Sequence, residues 1–429
     1  MRDLASRLRR IVRQDAERER AAAPTRELTY VADLEGGHDT GRTAAALGGA
    51  VHGSPGSACV VVDRSWSAGD RHGHREVGGW TIDAEAPIAL FDPRLKSLSS
   101  WADRVVFFDV ETTGLSGGAG TLAFLAGCGW FEGDGFRVRQ FFLSGPAGEH
   151  AMLDALGAIF DEASLLVTFN GRSFDVPVME MRWAFHRRAT PTDDLPHLDM
   201  LPPARRLWGI DAEHSCSLTS LEQLLLGVHR HGDVPGFEIP TRYFQFLRTG
   251  DPATVEGVLE HNRLDVISLA AVTAHALRLA RGGPEACRLP GEQLALGRLY
   301  ERAGDADRAL RSYELAGAAS GHRGVRRQAL ARLAELKRRA RQYDEAAAAW
   351  QDVLELSEAR EEGTPLERRA TEALAIHHEH RVRDLDAARR YAEALTTSTA
   401  AGAATRAHHR LRRLDRKIKL GAEALKIFD

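Results

Sequence analysis

The chain of 429 residues is long enough for two or three domains, and its 43% hydrophobic share is typical of a globular protein. A net charge of −3 excludes a broadly basic nucleic-acid-binding protein, so any such binding must depend on local patches. We expect no membrane association, because no apolar run is long enough to cross a bilayer and the charged first 20 residues do not form a signal peptide.

The four cysteines of the chain are far apart and form no Cys-x-x-Cys pair; they are Cys59, Cys128, Cys216 and Cys287. Such spacing argues against a zinc site or a disulfide framework. Reduced thiols are typical of the cytosol, so we expect a cytoplasmic protein.

Residues 1–94 carry the weakest structural signals in the chain. The stretch 36–57 is rich in Gly, Ala, His and Ser and predicts a loop, and the run 59–62 predicts at most a short strand. We therefore interpret 1–94 as an N-terminal segment that is partly loop or disordered.

Two carboxylates follow the first strong strand signal. The apolar run 105–108 predicts a buried strand, and Asp109 and Glu111 come at its end. Because side chains alternate along a strand, both carboxylates point to the same face. A buried carboxylate is costly unless it is neutralised, and Mg²⁺ or Mn²⁺ prefers such oxygen ligands.

Two more strands are predicted directly after this acidic pair. The apolar runs 122–131 and 136–143 flank the sequence Glu-Gly-Asp-Gly at 132–135, which is a strong hairpin turn. Together with the first strand they predict a three-stranded meander.

A third acid follows the next predicted strand. The run 164–169 predicts a strand, the Asn-Gly pair at 170–171 ends it, and Asp175 opens a helix that continues through Phe185. Four carboxylates gathered at one point, including one from a later helix, predict a two-metal site for phosphodiester hydrolysis.

That later helix is predicted over 254–279. His261 and Asp265 lie four residues apart on it and therefore share one face. The imidazole is then placed beside a metal ligand, in position to orient or deprotonate a hydrolytic water. An upstream capping box at 219–222 predicts that a short helix begins at Leu221.

From residue 289 the sequence becomes helical and repetitive. Turn signals at 303–305, 342–346 and 384–388 divide 289–420 into three helix pairs that resemble tetratricopeptide repeats. Stacks of such pairs usually offer a concave face to a peptide or a partner domain, so we expect a protein partner there.

Taken together, the motifs resemble the DEDD superfamily of 3′–5′ exonucleases, which have the ribonuclease H-like fold. The run 109–115 (Asp-x-Glu-Thr-Thr-Gly-Leu) resembles the first motif of the family, and 170–175 (Asn-x-x-x-Phe-Asp) resembles the second. The pair His261 and Asp265 resembles the third, although its spacing is that of the tyrosine branch of the family with histidine in the place of tyrosine. More narrowly, residues 95–280 resemble YprB-type ribonuclease H-like proteins, in the runs 114–118, 168–171, 196–201 and 261–269.

This resemblance implies a fold of two parts. An α/β ribonuclease H-like domain at 95–283, with a mixed five-stranded sheet flanked by helices, would be followed by an all-α tetratricopeptide-like helical repeat domain at 289–420.

The resemblance also implies a role for each site residue. Asp109 would bridge two Mg²⁺ or Mn²⁺ ions, and Glu111 and Asp265 would hold the ion nearer the attacking water. Asp175 would act on the leaving-group side. His261 would act as the base or orient the water.

The function predicted from the sequence is a metal-dependent nuclease, in particular a 3′–5′ exonuclease that releases nucleoside 5′-monophosphates from single-stranded DNA or RNA. A ribonuclease H-like endonuclease stays open as an alternative, because the same metal chemistry serves internal cuts. So does a catalytically inactive scaffold that binds nucleic acid and uses its helical repeats. The acids also have a plainer interpretation as turn and cap residues.

Overall fold

The computed structural model describes residues 38–80, 82–114, 121–209, 216–357, 363–396 and 402–425. The first 37 residues and the glycine-rich part of the first motif, 115–120, lie outside this range. Nine strands occur in the described residues: β1 (Ala50–Ser54), β2 (Ser57–Trp66), β3 (Arg71–His72), β4 (Arg75–Glu76), β5 (Val105–Thr112), β6 (Ala123–Glu132), β7 (Gly135–Phe142), β8 (Leu165–Thr168) and β9 (His197–Asp199).

Seven of these strands form one mixed sheet in the order β1–β2–β7–β6–β5–β8–β9, and β3 pairs with β4 separately. The strands from β1 to β5 in this order are antiparallel to their neighbours, whereas β8 and β9 continue the sheet in parallel with β5. The predicted mixed sheet is therefore confirmed. The expected number of five strands is wrong, because the sheet has seven in the described part of the chain.

The hairpin of β1 and β2 explains the difference. It comes from residues 50–66, where the sequence predicts a loop as far as 57 and only a short strand beyond it. β2 pairs along the outer edge of β7, from Val60 opposite Phe142 to Trp66 opposite Phe136. This pairing satisfies backbone groups that the edge of the meander would otherwise expose, and the Gly- and Ser-rich composition conceals it.

Helices cover both faces of the sheet, and alternation along β5 divides the core in two. Val105 and Phe107 pack on one face, and Val106 and Phe108 pack on the other. Such continuous apolar runs are typical of strands that are buried on both sides. The helices of this part are α1 (Thr40–Ala46), α2 (Glu149–Asp161), α3 (Asp175–Phe185), α4 (Leu201–Trp208), α5 (Leu218–Leu226), α6 (Ile239–Thr249) and α7 (Ala253–Gly282).

The C-terminal part is helical, as the sequence predicts. Gly304, with a φ of 82°, ends one helix, and the Asp305 side chain caps the next by accepting from the Arg308 backbone N–H. The helices are α8 (Pro290–Ala303), α9 (Ala306–Ala318), α10 (Arg323–Arg339), α11 (Tyr343–Glu355), α12 (Pro365–His377), α13 (Leu385–Ala394) and α14 (Ala403–Leu425). Their assignment to tetratricopeptide repeats and the proposed domain boundaries stay predictions. Among the helices that the structure describes, we find no candidate for a membrane-spanning segment.

The first C-terminal helices pack directly on the sheet-containing part. Leu296 and Tyr300 of α8 belong to the same hydrophobic core as Phe107 of β5. The Tyr300 hydroxyl donates to the Ala280 carbonyl at 3.0 Å, and the Trp208 indole donates to Glu292 at 3.1 Å. These contacts hold α4 and α7 against α8.

Candidate active site

Three of the predicted acids meet at one edge of the sheet. Asp109 and Glu111 lie at the carboxyl end of β5, on the face of Val105 and Phe107 that strand alternation predicts. The parallel strand β8 ends at the same edge, and Asp175 begins α3 a few residues later. The carboxyl ends of parallel strands are where α/β sheets usually bind ligands.

These carboxylates line a cleft of about 560 Å³, which we call the acid cleft. Its other lining side chains are largely apolar, and they include Val110, Phe169, Phe174, Val178, Met181 and Ile239. Phe174 is 52% exposed although it is aromatic, whereas its neighbour Asp175 is only 9% exposed. The cleft therefore combines shielded acidic side chains with an accessible aromatic ring.

Asp109 is held in place by an amide network. The Asn262 side-chain amide donates to Asp109 Oδ2 at 2.8 Å, and Asn262 Oδ1 accepts from Gln140 at 2.8 Å. Gly127 lies opposite Asp109 on β6, and a Cβ there would stand 2.3 Å from Asn262 Oδ1. A side chain at 127 would therefore displace the amide that orients Asp109.

The turn between β8 and α3 is similarly tight. Asn170 adopts a left-handed φ of 68°, which asparagine tolerates better than most residues. A Cβ at Gly171 would lie 2.5 Å from the Thr168 side chain and 2.8 Å from Asp175 Oδ2. The Asn-Gly pair thus allows the chain to bring Asp175 close to the end of β5.

Burial and repulsion from nearby acids raise the pKa values of all three acids in the cleft. The pKa of Asp109 is raised well above its usual value. Burial is the largest cause, and repulsion from Asp265, Glu111 and Asp175 adds to it. The pKa of Glu111 is also raised well above its usual value, first by burial and then by repulsion from Asp265, Asp175 and Asp233. Burial raises the pKa of Asp175 to about 7 against the opposing backbone hydrogen bonds. A nearby cation would be needed to keep these groups charged at neutral pH.

Asp265 and His261 share a face of α7, as their spacing predicts, but Asp265 points to a partner that the sequence did not reveal. Asp265 Oδ1 accepts from Arg230 Nη2 at 2.5 Å, and Oδ2 lies 3.5 Å from His261 Nε2. Asp265 is not among the residues that line the acid cleft, although its charge acts on Asp109 and Glu111. The structure thus groups three acids in the cleft and pairs the fourth with an arginine.

Arg230 is almost fully buried and forms the centre of a charged network. Its Nε and Nη2 donate to the two oxygens of Glu222 at 2.6 and 2.9 Å. Glu222 also accepts from the Ser268 hydroxyl at 2.6 Å. The sequence predicts Glu222 in a capping box that starts a helix at 221, but α5 begins at Leu218 and is capped by Ser217. Glu222 is therefore free to pair with Arg230.

Asp233 is a further acid that the sequence analysis missed. Its Oδ1 lies 2.8 Å from His261 Nδ1, and its Oδ2 lies 3.2 Å from Arg230 Nη1. An ionised carboxylate can only accept, so His261 donates through Nδ1. Neither Arg230 nor Asp233 belongs to a periodic pattern, so the sequence carried no signal for this contact.

The side chains of the acid cleft have the chemistry needed to bind a hard divalent cation. Asp109, Glu111 and Asp175 form no salt bridge with any residue that the structure describes, and buried carboxylate oxygens are the donors that Mg²⁺ and Mn²⁺ prefer. Across the described ranges, however, no group of three or more His, Cys, Asp or Glu side chains is arranged as a complete metal site. The donor set fits such an ion, while the ligands and the identity of the ion stay predictions.

The sequence around the acid cleft matches a known protein family. Residues 106–277 match the family model RNase_H_2, described as RNase_H superfamily. These residues are a ribonuclease H-like domain. Ribonuclease H-like domains are generally nucleases that act on nucleic acid and use divalent metals. Asp109, Glu111, Asp175, His261 and Asp265 all lie within the ribonuclease H-like domain.

Two further similarities each cover about half of this chain. The chain is 34% identical over 213 residues to protein YprB of Bacillus subtilis (strain 168), described as uncharacterized; the match covers 49% of this chain and 51% of that protein. The chain therefore spans about half the length of this curated relative. Among solved structures, the family B DNA polymerase of the archaeon Pyrobaculum calidifontis matches with a TM-score of 0.35 and 16% identity, over 49% of this chain and 29% of the polymerase.

Proposed function

We infer that the chain is a metal-dependent nuclease that hydrolyses phosphodiester bonds of single-stranded nucleic acid, acting as a 3′–5′ exonuclease. The observation that carries this proposal is the acid cleft, where one buried and two partly buried carboxyl groups repel one another without a cationic partner among the described residues. Their position at the carboxyl edge of a ribonuclease H-like sheet supports it further.

In this proposal Asp109, Glu111, Asp175 and Asp265 would hold two Mg²⁺ or Mn²⁺ ions. When bound, such ions supply hydroxide near neutral pH and stabilise negative charge on the leaving 3′ oxygen. Asp109 would be the central ligand, since Asn262 and Gly127 fix its orientation. Asp265 would remain held by Arg230, which limits its freedom to move.

His261 would accept the proton of the attacking water. Because Nδ1 donates to Asp233, the neutral ring leaves Nε2 without a proton and able to take one. The water oxygen would attack phosphorus, and the bond from phosphorus to the 3′ oxygen would break. The 3′ oxygen would take a proton from solvent water, so that the products are a nucleoside 5′-monophosphate and a strand with a new 3′-hydroxyl. Asp233 is a positioning residue, since it fixes the tautomer of His261.

Phe174 would contact the terminal base. It lines the acid cleft next to Asp175 and exposes about half of its side chain. Stacking on an aromatic ring holds a base without reading its identity, which suits an enzyme that removes nucleotides one after another. In the same proposal, the C-terminal helices would bind a protein partner, as tetratricopeptide-like stacks do.

The test uses labelled single strands in linear and circular form, as DNA and as RNA, incubated with Mn²⁺. We expect mononucleotide release from linear strands, intact circles, and activity that is lowered roughly 10³-fold in Asp109→Asn. Cutting of circles would assign the endonuclease alternative instead. Binding without any cleavage would contradict the proposal and favour the scaffold.

A further inference from the structure

A second cleft lies where α4 of the ribonuclease H-like domain meets the C-terminal helices α8 and α10. Its volume is about 670 Å³. Six arginines line it, and we call it the arginine cleft: Arg205, Arg206, Arg298, Arg302, Arg332 and Arg339. The other lining residues are Gly209, Glu301 and Gln328. Residues more than 130 positions apart in the chain therefore combine into one basic surface.

The charge in this cleft is poorly balanced. Glu301 is the one acid among its lining residues within the described chain, and it already accepts from the Tyr313 hydroxyl at 2.8 Å and from Arg339 at 2.9 Å. Glu335, beside the cleft, lies 3.9 Å from Arg332 and 4.0 Å from Arg339. Among the residues that the structure describes, two carboxylates thus face six guanidinium groups.

Three of the remaining four arginines contact neutral groups. Arg298 Nη2 donates to Gln328 at 2.6 Å, Arg302 Nε donates to the Arg298 carbonyl at 3.3 Å, and Arg206 Nη1 donates to the Phe91 carbonyl at 3.0 Å. Arg298 Nε is buried without a hydrogen-bond partner in the described structure. Burial and then neighbouring arginines lower the pKa values of Arg298 and Arg302. An anion in the cleft would relieve this repulsion and satisfy unused donors.

The fold holds these arginines together despite their repulsion. Trp208, at the end of α4, donates to Glu292 of α8 and stacks on His275 of α7 with ring centroids 6.0 Å apart. Leu207 of α4 and Leu299 of α8 belong to one hydrophobic core. The cleft is therefore built on packed helices rather than on loops, which keeps its donors in fixed positions.

The lining also indicates the kind of anion. No aromatic or apolar side chain is among the residues that line the cleft in the described chain. A pocket for a free nucleotide would normally include apolar contacts for the base. Arginines alone suit a chain of phosphates, because a guanidinium group binds phosphate oxygens in pairs irrespective of base sequence.

We propose that the arginine cleft binds the phosphate backbone of a single-stranded nucleic acid at a second site, separate from the acid cleft. The site contributes affinity that does not depend on sequence, and it holds the body of a strand against the junction of the two parts of the chain. It shares its class of ligand with the proposed function but needs no hydrolysis.

The test is a binding measurement on the full chain in EDTA, read by fluorescence anisotropy of labelled single-stranded oligonucleotides. The variant is Arg302→Gln/Arg332→Gln, whose two side chains make few contacts that the fold needs. We expect about tenfold weaker binding, and a slope of log affinity against log salt that is smaller by about 1.4, the value for two lost phosphate contacts. Arg302→Lys/Arg332→Lys should keep most of the affinity.

The matched control is Arg311→Gln/Arg389→Gln, which removes the same charge from exposed sites on α9 and α13. We expect less than a twofold change in its binding. Equal loss in the two pairs, or no loss in the first, would overturn the proposal. The proposal would also be overturned if inorganic tripolyphosphate bound tightly and needed Arg302 and Arg332, while the affinity for oligonucleotides did not depend on these two arginines. Because EDTA prevents hydrolysis, an inactive nuclease in the labelled-strand assay would leave this result unaffected.

Discussion

The acid cleft and the arginine cleft both gather like charges, but burial gives them different consequences. In the acid cleft, Asp175 is buried and Asp109 is partly buried, and burial raises the pKa values of both, so the fold alone does not favour their charged forms. In the arginine cleft, Arg332 and Arg339 keep about half of their side chains in solvent, where water and salt screen the repulsion. Substitutions should therefore affect chemistry and stability at the acid cleft, and mainly affinity at the arginine cleft.

The acid region also contains its own contrast. Asp265 has a buried arginine partner, whereas the three acids of the acid cleft have none among the described residues. Arg230 supplies a permanent positive charge beside Asp265. A divalent ion is proposed to supply the positive charge beside the three acids of the acid cleft.

The largest effect is expected from Asp109→Asn. The substitution keeps the shape of the side chain but removes its charge, so we expect nuclease activity to fall roughly 10³-fold. The free energy of unfolding in EDTA should rise, because the substitution removes a carboxyl group whose ionisation is opposed by burial and by repulsion from Asp265, Glu111 and Asp175. Rate assays and chemical denaturation measure the two quantities. Loss of activity together with loss of stability would assign Asp109 a structural role instead.

Arg230→Met is expected to destabilise the protein strongly. It leaves Glu222, which is 0% exposed, without its ionic partner, and breaking one side of a buried pair costs roughly 3–5 kcal/mol. Arg311→Met, at an exposed ion pair, should cost about 1 kcal/mol or less. Urea denaturation distinguishes them. Similar losses of unfolding free energy in the two variants would mean that the buried Arg230 network stabilises the fold no more than an exposed ion pair does.

The pH dependence of the unfolding free energy in EDTA should reveal the raised pKa of Asp175. Its pKa is about 7 in the folded protein and 3.8 in the unfolded chain, so the folded state binds more protons between these values. This group therefore stabilises the fold at low pH, and its contribution is lost as pH rises from about 4 to 7. His72 acts in the opposite direction over part of the range, because burial and then Arg230 lower its pKa to about 4.

The contribution of Asp175 is isolated by subtraction. We expect the unfolding free energy of Asp175→Asn relative to the unsubstituted protein to increase as pH rises from 4 to 7, by ~1.4 kcal/mol for each pKa unit of the shift. A difference that does not change with pH would mean that the carboxyl group is already ionised in the folded protein.

A smaller effect is expected from Asp233→Asn. The substitution removes the carboxylate that fixes the tautomer of His261, so kcat should fall about tenfold while Mn²⁺ affinity changes little. Steady-state rates and Mn²⁺ titration provide the comparison. An equal loss of metal affinity would mean that Asp233 acts as a ligand and not through His261.

The sequence predicted those parts of the site that depend on local pattern. Strand alternation placed Asp109 and Glu111 on one face, the Asn-Gly pair placed the start of α3 at Asp175, and four-residue spacing joined His261 to Asp265. Each of these signals lies within a few residues of the side chain that it positions.

The parts that were missed depend on contacts between distant segments. The hairpin of β1 and β2 forms because β7 has an edge to fill, and its own composition is typical of a loop. Arg230 and Asp233 lie in a connection without periodicity, and only the packing of α5 and α7 gives them their partners. The arginine cleft exists only once α4 has docked on α8.

Metal binding in the acid cleft is best tested by anomalous diffraction from crystals of the full chain soaked in Mn²⁺. We expect manganese peaks within coordination distance of the Asp109, Glu111 and Asp175 oxygens, and their disappearance in Asp109→Asn. Crystals of the unsubstituted protein with a well-ordered acid cleft and no manganese peak in it would show that these acids do not form a metal site.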